Sequence, residues 1–258
     1  MGTENGHIWL YHVADQRIIH SADPKHAGPV LAVVWCGGSQ LCSIGLDDNI
    51  VTLSNANTMD TLSQIRVTGK ITAFDVFYDV EKEASNDHPI IAMIVEERQL
   101  YFYAPNTTEL SDASTFAEPY GAMLNVAFNA MGNVILSFAS GLLLLYSSKP
   151  NTSHRQIAAI RDFNKDVAAM LIAPSRLRLY ALGDDGLLRI HATDNALSII
   201  EDHTIESRGT KQHCRQLLCS EDGGFLAVVI RRYVGILCSC VVNVILAKHI
   251  KSIQIFAW

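Results

Sequence analysis

The sequence lacks the short patterns from which chemistry is usually read. Its six cysteines, Cys36, Cys42, Cys214, Cys219, Cys238 and Cys240, form no C-x-x-C pair, which argues against a zinc or thioredoxin-like motif. Its ten histidines are scattered, with no H-E-x-x-H cluster. No glycine pair is followed by the lysine and helix of a phosphate loop. Lys and Arg number 20 against 26 Asp and Glu, a formal charge of −6, and no basic stripe stands out. The phosphate-neutralising surface that nucleic acid requires is therefore not visible, and no direct nucleic-acid contact is expected. The first residues show no basic-then-apolar leader. Buried free thiols in an intracellular, cytoplasmic setting are expected, and the sequons at Asn106 and Asn151 read as chance matches. The uncharged run at residues 234–247 has 14 residues, short of the ~20 a helical membrane span takes, so no span is expected.

What is present is a strand that keeps returning. It appears as Asn5-Gly6-His7-Ile8-Trp9-Leu10-Tyr11 and again as Asp48-Asn49-Ile50-Val51-Thr52-Leu53-Ser54. Later copies are Arg98-Gln99-Leu100-Tyr101-Phe102-Tyr103, Ser140-Gly141-Leu142-Leu143-Leu144-Leu145-Tyr146 and Asp185-Gly186-Leu187-Leu188-Arg189-Ile190-His191. Most copies open on a turn pair and run into a β-prone stretch. Their ends, Tyr11, Ser54, Tyr103, Tyr146 and His191, are 43, 49, 43 and 45 residues apart. A period of roughly 40–45 residues with four strands per unit is the signature of a propeller blade. The expected fold is all-β: four-stranded antiparallel blades, about five blades' worth. A hydrophobic content of 49% is enough for one large core.

Each unit reads as strands a, b, c and d from the inside outward. In the first complete unit, Val30-Leu31-Ala32-Val33-Val34-Trp35 is the innermost, near-continuously apolar strand, as expected where both faces are covered. Asp47-Asp48-Asn49 makes the tight turn between b and c, and Asp184-Asp185 stands in the same place later, so turn chemistry explains both acidic pairs. The blades are placed at residues 5–22 (partial), 30–67, 71–120, 123–160, 167–205 and 214–230 (partial), giving a repeat domain over 1–230. Residues 231–258 read as an apolar tail outside the repeat. The charged stretch at 79–87 lengthens one step to 49 residues and is expected to be a loop.

The period, the a-b-c-d order and the Asp-Gly or equivalent turn ahead of strand c together resemble the WD-repeat family of β-propellers. The loop Lys25-His26-Ala27-Gly28-Pro29-Val30 is similar to the family's Gly-His loop, with Lys25 in place of the glycine. No copy ends in Trp-Asp; Tyr11-His12, Ser54-Asn55, Tyr103-Ala104, Tyr146-Ser147 and His191-Ala192 stand there. The buried His, Ser/Thr, Asp and Trp network of family blades is thus expected to be largely missing, leaving apolar packing to hold the sheets. By analogy with the seven blades usual in the family, the chain is expected to form an open arc of a larger ring rather than a closed five-bladed one.

The resemblance implies a non-enzymatic platform for protein–protein interaction within a multi-subunit assembly, with a ciliary or trafficking scaffold as one setting. A component of an RNA-processing or ribosome-assembly particle is the alternative, and an enzyme on a propeller scaffold ranks below both. No catalytic residue, cofactor or metal is expected. The candidate contact residues lie in exposed loops between blades and in the insertion: Lys25, His26, Glu81, Lys82, Glu83, Arg161, Asp162 and Lys165.

Overall fold

The computed structural model describes residues 1–20, 23–78, 89–105, 109–149, 155–164, 166–204, 212–220, 225–234, 237–246 and 254–257. Among them there is no α-helix, and no helix long and apolar enough to cross a membrane. The chain divides into two compact units, residues 1–115 and 116–258.

The first unit holds three sheets. The opening one has two strands, β1 (Trp9–His12) and β2 (Arg17–His20). The next has four in sequential order, β3 (Val30–Trp35), β4 (Gln40–Gly45), β5 (Ile50–Asn55) and β6 (Thr61–Arg66). The third has β7 (Ile71–Phe77), β8 (Ile90–Val95), β9 (Gln99–Tyr103) and the two-residue β10 (Ser114–Thr115). The second unit holds three four-stranded sheets: β11 (Met123–Phe128) to β14 (Gln156–Arg161), β15 (Val167–Ile172) to β18 (Ile199–Thr204), and β19 (Gln212–Cys219) to β22 (Gln254–Ala257). All pairings are antiparallel between chain neighbours, the order expected of blades.

Burial within a sheet follows strand position. In the sheet that begins with β11, the middle strands β12 (Val134–Phe138) and β13 (Leu142–Tyr146) are buried at every residue, whereas the outer β14 alternates between exposed and half-buried. That is why Leu142-Leu143-Leu144-Leu145 shows no alternation: both faces are covered. Between the second and third sheets, Ile44, Val51 and Leu53 pack with Ile71, Val76, Ile91 and Met93. In the second unit, Ile135, Leu143 and Leu145 pack with Val167, Leu179 and Ala181, and Leu188 and Ile190 pack with Leu217, Leu226 and Val228. Each large apolar side chain so buried is worth about 1.5–3 kcal/mol.

Two features depart from the sequence expectation. Strand pairing continues past residue 230: β20 runs Phe225–Val234, and β21 (Leu237–Leu246) and β22 complete its sheet. A tail was expected there because the run lacks the turn pair that opens strand c elsewhere; main-chain pairing does not need that pair. The second is β10, which keeps only two residues of an outermost strand. Beyond it the edge of β9 is met by a loop: the Ser111 amide donates to the Phe102 carbonyl at 2.9 Å, and the Ser111 hydroxyl accepts from the Phe102 amide at 2.9 Å.

In all five four-stranded sheets the pairing of the first two strands slips by one residue near the start of the first. The slip falls between Val30 and Ala32, Ile71 and Ala73, Met123 and Asn125, Val167 and Ala169, and Cys214 and Gln216. A bulge of this kind sharpens local twist, and its recurrence marks equivalent positions where side chains have diverged.

Candidate functional site

The loop ahead of β3 is built from the main chain upward. The Lys25 and His26 amides both donate to the Gly6 carbonyl, at 2.8 and 3.3 Å. Gly6 has φ +80°, and a Cβ there would lie 1.9 Å from the His26 carbonyl oxygen, so only glycine fits. Lys25 is half-buried and its ammonium donates to the Thr61 hydroxyl at 3.1 Å. His26 points inward and is buried. Its Nε2 lies 2.9 Å from the Ser43 hydroxyl and its Nδ1 3.3 Å from Asp48 Oδ2. The carboxylate faces Nδ1 at ion-pair distance without closing a hydrogen bond on it, and Nε2 pairs with the Ser43 hydroxyl. Asp48 is also a turn residue, accepting from the Ala27 amide at 2.9 Å and the Ile50 amide at 3.0 Å.

The sequence expectation of a largely missing polar network therefore needs correcting in one sheet. The first four-stranded sheet keeps His26, Ser43 and Asp48 joined, without the tryptophan. The bulges locate the equivalent residues elsewhere. Val30 pairs with Gly45 and Val167 with Gly183, so Phe163 and Ala181 stand where His26 and Ser43 do. By the same count Val67 and Met93 stand there in the sheet of β7, and both are buried. The turn acid is retained: Asp185 accepts from the Leu187 amide at 3.1 Å. Both glycines make room for it, since a Cβ on Gly45 would meet Asp48 Oδ1 at 2.0 Å and one on Gly183 would meet Asp185 Oδ1 at 2.5 Å.

Of the other candidate contact residues, Arg161 ends β14 and is exposed. Asp162 follows it, with Oδ2 3.8 Å from Nδ1 of the buried His191. Lys25 and Arg161 belong to different units. Glu81, Lys82, Glu83 and Lys165 lie outside the described residues. His191 was not singled out as a site residue. Its position at the end of a repeat copy was legible, but nothing in the sequence indicated that its Nδ1 would donate to the Leu197 carbonyl at 3.0 Å.

Burial pushes the pKa of His26 down, against the pull of Asp48. Burial does the same to His191, where the Leu197 hydrogen bond and Asp162 oppose it and Arg189 adds to it. Both fold as neutral rings with values below the usual 6.5. As pH falls through 6.5 the unfolded chain takes up protons first, so the folded state loses stability on the acid side and is favoured above it. The urea midpoint is expected to drop between about pH 7.5 and 5.5, and to drop less in His26→Gln and His191→Gln. A midpoint that rises on acidification would show that the rings are not neutral in the fold.

The comparisons with known proteins agree with this architecture. A family model described as the WDR19 first beta-propeller matches residues 1–232. The crystal structure of the Cps50 (Swd1) β-propeller domain from Myceliophteria thermophila superposes with a TM-score of 0.75 at 11% identity, covering 98% of this chain and 81% of that one, a likeness of fold. No curated protein sequence matches the chain.

Proposed function

The chain belongs to the WDR19 first β-propeller family, and from that premise we propose that it is a non-enzymatic interaction platform in a larger protein assembly. The observation that carries this is the family match across 1–232 together with the repeating blade ladder it covers. WD-repeat propellers offer partners the loops between blades, which a stacked-sheet core holds in place. Here the exposed Arg161, at the end of β14, and the half-buried Lys25 border such loops, and the charged insertion at 79–87 adds a third contact candidate. A family described as a first propeller supports a tandem-propeller scaffold. A ciliary or trafficking complex, reached from the cytoplasm, is the setting we favour, with other protein subunits as partners.

Affinity purification of the full-length protein, with identification of co-purifying subunits and imaging of where it concentrates, tests this. A stable set of protein partners at the cilium or on transport carriers is expected. Recovery with ribosomal or RNA-processing particles would replace the reading with its alternative. Turnover of a substrate that is lost on changing one side chain would end it.

A further inference from the structure

We draw no further inference here: the strongest candidate, the exposed apolar face that Trp9, Tyr11 and Ile18 form on the β1–β2 sheet, is an unpartnered sheet face, and nothing in the structure shows what covers it.

Discussion

Replacing Phe138 by alanine is expected to destabilise the second unit by about 3–5 kcal/mol, the range for deleting a fully buried aromatic ring. Phe138 ends β12 and has no exposed surface. Its ring meets two others edge to face: Phe116 at 5.5 Å and 72°, and Tyr120 at 5.4 Å and 70°. Phe116 also meets Tyr146 edge to face at 5.3 Å, so removing the Phe138 ring leaves a hole on whose border Phe116 is already held by another ring. Such a site collapses poorly, which places the loss at the upper end of the range. Urea denaturation followed by intrinsic fluorescence measures it. Phe138→Leu, which refills most of the volume, should lose markedly less. A loss under about 1 kcal/mol for the alanine variant would mean that these rings are not packed as described.

The second large effect is expected from Asp48→Ala, at about 2–4 kcal/mol. Asp48 unites three groups: the His26 ring, the Ala27 amide and the Ile50 amide. Alanine leaves both amides without their acceptor and the buried imidazole without its carboxylate. Asp48→Asn should keep the turn bonds through its carbonyl oxygen and lose only the charge, so it is expected to fall between the two. The substitution should also lower the pKa of His26 further, since Asp48 is what holds it up. Proton NMR of the His26 ring in Asp48→Asn would register that shift. Equal stability of Asp48→Ala and the parent would show that the network adds nothing to the sheet.

The two residues also show what a sequence can and cannot reveal. Phe138 lies in Val134-Ile135-Leu136-Ser137-Phe138, whose place before the turn and Leu142–Tyr146 marks it as a middle strand. Fold class, strand order and most of the core were legible because repetition averages out local ambiguity: five copies of one strand agree where any single one could be misread. Asp48 was legible as a turn residue but not as a hydrogen-bond partner of a loop 21 residues earlier. The missing Trp-Asp end suggested that the whole network was gone, yet three of its members stay joined through His26. Substitution at one position of a network does not imply loss at the others. The unmet N–H groups of Arg189 were illegible for a different reason: a strand pattern marks which face a residue occupies, not whether its charge finds an answer there. The strands at 231–258 were missed because pairing rests on the main chain, which every residue carries, whereas the expectation rested on turn pairs and side chains.

The one-residue slip at the head of each inner strand bears on which changes the chain can tolerate. Leu31, the extra residue in β3, sits between the pairs Val30–Gly45 and Ala32–Ile44. Deleting it would yield a straighter ladder, and for that reason it would damage the sheet. Each strand residue advances the chain by about 3.3 Å, so everything upstream would be hauled along by that much and turned over to the opposite side. His26 reaches Ser43 across 2.9 Å, a gap with no such slack. The irregular step thus works as a spacer that fixes the reach of the loop ahead of β3, and a slip of the same kind recurs in all five four-stranded sheets. Gain or loss of a single residue at these five points should be rarer among related chains than exchange of the residue itself, because side-chain identity there is free and chain length is not.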